Sequence, residues 1–175
     1  MCGFAGYLNH RTSTKGATRL LQAMGDAISM RGPDGSGHWI SEADGLGFIH
    51  RRLAVIELSD AGAQPMVSPS GNYVLVFNGE IYNHLDIRNQ LQDEGFAPNW
   101  SGMSDTETLL AAIDAWGVSD ALDRANGMFA FALWDRTDRS LTLARDRLGE
   151  KPLYYGWQGD ALLFGSDLKA LRVHP

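Results

Sequence analysis

Two stretches of this 175-residue chain are apolar at every position: Tyr73-Val74-Leu75-Val76-Phe77 and Met128-Phe129-Ala130-Phe131-Ala132-Leu133-Trp134. A strand with one wet face alternates apolar and polar residues, so unbroken runs describe strands covered on both faces. Covering them takes more than one layer. Two stretches supply apolar residues at helical spacing: Leu20, Leu21, Met24, Ala27 and Ile28, then Leu109, Leu110, Ile113 and Trp116. Two sheets packed face to face with helices outside satisfy this pattern; an open α/β sheet satisfies it as well.

The remaining stretches fill in the order. Residues 3–8 form a short buried strand, and residues 18–30 the first helix. The turn Met30-Arg31-Gly32-Pro33-Asp34-Gly35-Ser36-Gly37 ends that helix, since three glycines and a proline cannot continue it. Strands at 38–40 and 46–49 flank a hairpin turn at 43–45. A strand over 50–58 carries Arg51 and Arg52 into the Gly/Pro-rich loop 59–66. A helix over 84–94 stops at Gly95, and Ser104 or Asp105 caps the next one. Residues 141–145 pair with 127–135, a charged turn at 146–156 leads into another strand, and 161–164 form a last one before a helix at 167–172.

Composition excludes several classes. Fifteen basic against 21 acidic residues leave a net charge of −6, without the positive field that nucleic acid or an anionic membrane requires. One cysteine rules out an intramolecular disulfide framework, and five scattered histidines show no metal-ligand spacing. Neither a leader nor a membrane-length apolar run stands out, so a cytoplasmic protein is expected. Twenty glycines, against an average near ~7%, stand in short polar stretches between apolar runs and suggest loops that approach a ligand closely.

Four features carry chemistry. Cys2 directly follows Met1, and removal of Met1 would place a thiol and a free α-amine on one residue, a nucleophile with its own base; the plain alternative is a small apolar residue near a terminus. Arg51 and Arg52 suit an anion site beneath a movable loop, or are two solvated arginines at a strand end. Asn78-Gly79-Glu80-Ile81-Tyr82-Asn83-His84 puts polar groups at the tip of a buried strand, or is a simple β-turn. Asp105 is a helix cap or a ligand for an ammonium group.

Taken together these stretches resemble the glutaminase domain of class II glutamine amidotransferases, in the branch of the glutamine-hydrolysing asparagine synthetases. The resemblance rests on Met1-Cys2-Gly3, the turn from Arg31 to Gly37, His50-Arg51-Arg52-Leu53-Ala54-Val55, and Gly62-Ala63-Gln64-Pro65-Met66. It continues through residues 78–84, Ser104-Asp105-Thr106-Glu107, Gly127-Met128-Phe129-Ala130-Phe131 and residues 144–155, in family order from end to end. Met30 stands where the family often has His. The Ser-Gly-Gly-x-Asp-Ser loop of the family's ATP-using domain is not among these residues.

The resemblance implies an α+β fold, a four-layer αββα sandwich of the N-terminal nucleophile hydrolase type, with residues 1–175 forming one glutaminase domain. It implies that Cys2 attacks the side-chain amide of L-glutamine, with Asn78 and the Gly79 N–H receiving the oxyanion. Arg52 is expected to take the substrate carboxylate, Glu80 and Asp105 its ammonium, and Leu53, Val55 and Ile56 to line the pocket. No cofactor or metal is expected in this domain, ATP and Mg²⁺ belonging to a synthetase domain or subunit that takes the ammonia. Excision from a longer protein is favoured over a separate partner, and a homodimer is left open. Aspartate is the expected acceptor; another carboxylate, such as a sugar uronic acid, an amidohydrolase with no acceptor, and a non-catalytic binding domain are the competing readings.

Overall fold

A computed structural model describes residues 2–10 and 12–175. Nine strands form two antiparallel sheets among these residues. The first sheet runs β2 (Gly35–Ser41), β3 (Leu46–Arg52), β1 (Gly3–Leu8), β9 (Ala161–Gly165), β8 (Tyr154–Gln158). The second runs β4 (Met66–Val67), β5 (Tyr73–Ile81), β6 (Gly127–Asp135), β7 (Ser140–Arg145). Helices α1 (Thr14–Ala27) and α4 (Leu168–Leu171) pack on the first sheet; α3 (Asp105–Arg124) packs on the second, and α2 (His84–Asp93) packs on α3. The order is helix, sheet, sheet, helix. This is the expected αββα sandwich, and the open α/β sheet is excluded.

Side-chain alternation sorts the residues into three apolar layers. Phe4, Leu46, Phe48, Val74, Val76, Ala130, Ala132, Trp134 and Phe164 fill the space between the sheets. Leu75, Phe77 and Ile81 point the other way, onto Leu109, Leu110 and Ile113 of α3. Ala5, Tyr7 and Ile49 meet Leu21 and Met24 of α1. The strands with unbroken apolar runs are those with a core on each face.

Several boundaries differ from expectation. The first helix begins at Thr14 rather than at residue 18, because Ser13 caps it by accepting the Gly16 N–H, and a 3-10 turn at Ser29–Arg31 replaces its last turn. The glycine-rich stretch expected as turn up to residue 37 enters β2 at Gly35. The strand expected over 50–58 stops at Arg52, since 53–58 leaves the sheet. The Asn78-Gly79 pair lies inside β5, opposite Ala130 and Phe129, and is no β-turn. Pairing along β6 overrides the local turn preference of Asn-Gly. Helix α3 bends at Gly117, whose φ of 80° is one a glycine adopts freely.

Candidate active site

The apolar layer between the sheets turns polar at one end. Two residues before Phe4 stands Cys2; two and four after Phe48 stand His50 and Arg52; two after Val76 stands Asn78. Period-2 alternation therefore sends all four toward the same interior. The cleft there has a volume of about 200 Å³, and its wall includes Cys2, Arg52, Leu53, Val55, Ile56, Asn78, Gly79, Glu80 and Asp105. Every residue given a role by the resemblance is in one place; Arg51, offered with Arg52 as an anion site, is not, since alternation turns it with Ile49 toward α1.

The Cys2 sulfur accepts the Leu53 N–H at 3.3 Å and donates to the Leu53 carbonyl at 3.4 Å. The turn from Arg31 to Gly37 holds both partners. Arg31 Nε donates to the Cys2 carbonyl at 3.1 Å, and the Asp34 carboxylate accepts the Ala54 N–H at 2.9 Å. A Cβ on Gly32 would lie 2.3 Å from the Arg51 carbonyl, so that turn approaches the end of β3 only as glycine. The expected loss of Met1 concerns a residue outside the described ones.

Strand β5 presents the other wall. Phe129 of β6 exchanges hydrogen bonds with Asp146, donating to its carboxylate at 3.2 Å and accepting its N–H at 2.8 Å. Its partner in register, Gly79, is thus in a non-hydrogen-bonded pair, and the Gly79 N–H points to the outer edge of β5. On that edge the Phe77 N–H is taken by Gln64 Oε1 at 2.6 Å and the Ile81 N–H by Asp105 Oδ2 at 2.9 Å. Gly79 lies between them, against the cleft. A Cβ at Gly79 would fall 2.4 Å from the Met128 carbonyl, so no other residue fits. Asn78 is 1% exposed, and its amide nitrogen has no hydrogen-bond partner among the described residues. A buried amide donor without an acceptor is costly, and its retention points to a transient acceptor.

The cleft is lined by charge of both signs. Arg52 donates through Nη1 to the Ser59 carbonyl at 2.8 Å and through Nη2 to the Glu57 carbonyl, with Gly62 packed against Nη2. Asp105 is the first residue of α3; Ser104 is the residue that caps the helix, by accepting the Thr106 N–H. Burial raises the Asp105 pKa, against the opposing pull of the Ile81 and Thr106 N–H groups, and Glu80 nearby adds to the rise. A buried carboxyl held up in this way favours a cationic partner in the site.

The loop expected to move over the cleft is tied down at three points. Arg52 holds its start, and the Glu57 carboxylate accepts Ser59 Oγ at 2.6 Å, the Ser59 N–H at 2.8 Å and the Met103 N–H at 2.8 Å. These donors, the Ser59 hydroxyl first, hold Glu57 down at about 2. Gln64 then anchors the loop to β5. Glu57, Gln64, Thr106, Met128 and Lys151 also line the cleft, though residue-by-residue reading assigned them no role. All stand in or beside the matching stretches, but only contacts distant in sequence bring them to the site. Among the described residues no cluster of three or more His, Cys, Asp or Glu could hold a metal, and no helix is long and apolar enough to cross a membrane.

The glutamine amidotransferase domain family matches residues 1–175. The chain belongs to this family. This amidotransferase domain is 40% identical over 177 residues to asparagine synthetase [glutamine-hydrolyzing] 3 of Bacillus subtilis, covering all of this chain and 28% of that protein. It is 39% identical to asparagine synthetase [glutamine-hydrolyzing] 1 of the same organism, covering 99% of this chain and 27% of the relative, and 35% identical to amidase chry2 of Gibberella zeae, covering 97% and 26%. The chain thus spans little more than a quarter of the length of these relatives. Its fold matches the glutamine phosphoribosylpyrophosphate amidotransferase from B. subtilis with a TM-score of 0.79 at 22% identity, over 98% of this chain and 43% of that one.

Proposed function

We propose that the domain hydrolyses the side-chain amide of L-glutamine at Cys2 and releases ammonia for amidation of a second substrate. The observation that carries this reading is the unpartnered Asn78 amide beside the Gly79 edge N–H, both across the cleft from the Cys2 thiol. The sulfur forms a bond to the amide carbon, whose oxygen becomes an oxyanion accepted by Asn78 and Gly79. With Met1 removed, the Cys2 α-amine takes the thiol proton and returns it to the departing nitrogen as the C–N bond breaks. Water then cleaves the thioester to glutamate. Losing one oxyanion donor raises such a barrier by about 2.7–4 kcal/mol.

Recognition follows from the charges. The Arg52 fork matches the α-carboxylate of glutamine, and Glu80 with Asp105 offers the anionic corner for its α-ammonium. Leu53, Val55 and Ile56 line the side-chain path, and the anchored 57–64 segment excludes water. The ammonia passes to an ATP-activated carboxylate on a synthetase domain or subunit, aspartate being favoured by the names of the relatives. Glutamate release from glutamine tests the reading, with intact mass recorded on the same sample. Wild-type release that is lost in Cys2→Ala, with glutamine binding retained by calorimetry, is the expected result. Hydrolysis by Cys2→Ala would overturn it.

A further inference from the structure

The outer edge of β5 is bonded from the side by two buried side chains that the chemistry above does not use. His50, in β3 of the opposite sheet, is wholly buried, and its Nε2 lies 3.1 Å from the Phe77 carbonyl. A carbonyl only accepts, so Nε2 carries the proton and the ring is the neutral Nε2–H tautomer. Burial first, with Arg52 adding to it, lowers the His50 pKa to about 4 against the opposing Phe77 bond, in keeping with that form. Its Nδ1 has no partner among the described residues, which leaves Phe77 as the anchor of the ring. Gln64 takes the other half of the same residue: its Oε1 accepts the Phe77 N–H at 2.6 Å, and its Nε2 reaches Thr106 Oγ1 at 3.4 Å, one residue beyond Asp105.

Phe77 directly precedes Asn78 and stands two residues from Gly79 on the same edge. A rotation of β5 about its axis would turn the Asn78 amide and the Gly79 N–H together. Beyond Leu75 β6 still pairs with β5 on one side, but among the described residues no strand holds its outer edge, since β4 pairs only with Val74 and Leu75. We infer that His50 and Gln64 are positioning residues that clamp the two backbone groups of Phe77 and so set the oxyanion donors of β5 against the nucleophile of the first sheet. His50 fixes the distance between the sheets at the site. Gln64 makes the same alignment depend on the anchored loop. The inference rests on the glutamine reading above.

The test uses the chain with three substitutions at these positions and one probe of the tetrahedral state. His50→Phe keeps the volume and removes the donor; His50→Gln restores an N–H. Gln64→Met removes the acceptor for the Phe77 N–H. The probe is the aldehyde analogue of glutamine, which adds the Cys2 thiol to give a tetrahedral hemithioacetal, compared with glutamate, which binds without that adduct. His50→Phe and Gln64→Met are expected to lower kcat about 10- to 100-fold at little-changed KM. Aldehyde affinity falls by a similar factor, glutamate affinity holds, and His50→Gln recovers most of the loss. Unchanged kcat, or equal loss of aldehyde and glutamate affinity with no rescue by His50→Gln, overturns the inference while leaving the glutamine reading intact. A wild-type chain that neither releases glutamate nor binds the aldehyde overturns both.

Discussion

Strands β5 and β6 lie side by side, are nine residues long each and are similarly apolar, yet only one presents reacting groups. The difference lies in their edges. β6 pairs with β5 on one side and with β7 on the other from Ala130 to Asp135, and Asp146 takes the backbone of Phe129 beyond that point. β5 loses its outer neighbour after Leu75. From there side chains of Gln64, His50 and Asp105 take the place of a strand, and one position between them is left for a ligand. What a buried strand can do is decided by which peptide groups its neighbours leave unused.

Asn78 and Ala130 stand opposite each other in register, so they test this contrast directly. The largest effect is expected for Asn78→Ala, with kcat for glutamine hydrolysis down about 10²–10³-fold in steady-state assays. Because the deleted amide nitrogen has no partner among the described residues, the same variant should unfold at a denaturant midpoint equal to or above wild type. A stability loss without a kinetic loss would reverse the assignment of the two strands.

The second expectation concerns the tie between the sheets. His50 is neutral in the fold with a pKa of about 4, against 6.5 when unfolded. The unfolded chain therefore binds a proton first as the pH falls. Stability is full above pH 6.5 and declines toward pH 4, by about 3 kcal/mol for this group. Urea midpoints measured across that interval should fall less steeply for His50→Gln.

Arg52→Lys is expected to raise KM about tenfold with a smaller change in kcat, since a point charge serves neither the substrate carboxylate nor the Ser59 and Glu57 carbonyls as a fork does. An unchanged KM would remove Arg52 from the recognition scheme. The smallest effect belongs to the silent strand. Ala130→Val overfills the layer beside Val76 and Phe4 and should lower stability by about 1–2 kcal/mol, leaving the activity of the folded fraction near wild type.

Much of this was readable from residues alone, where the determinant is local. The unbroken runs at 73–77 and 128–134 announced strands with a core on each face, the Ser104-Asp105 pair announced the start of α3 without deciding which of the two caps it, and the first strand was placed at its observed bounds. Strand alternation carries Cys2, Arg52 and Asn78 to one cleft, while the segment after β3 and the start of α3 bring Leu53, Val55, Ile56 and Asp105 there. What stayed hidden depends on distant partners. Nothing near Asn78-Gly79 says that β6 will extend the strand through it, and nothing near Gln64 says that its amide will face Phe77. The end of β3 at Arg52 was equally obscure, because the Asp34 carboxylate draws Ala54 out of line from 20 residues away.

The register of β5 makes the site an arithmetic of odd and even. Asn78 faces the space between the sheets because it shares parity with Val76, and the Gly79 N–H faces the cleft because it shares parity with Phe77. Deleting one residue between Tyr73 and Phe77, with the pairing of the strand's start kept, would exchange these two directions. The amide would then enter the helix layer and the glycine N–H would turn into β6. Deleting two would shorten the strand and leave both directions unchanged. Insertions and deletions in this strand should therefore be tolerated in pairs before they are tolerated singly.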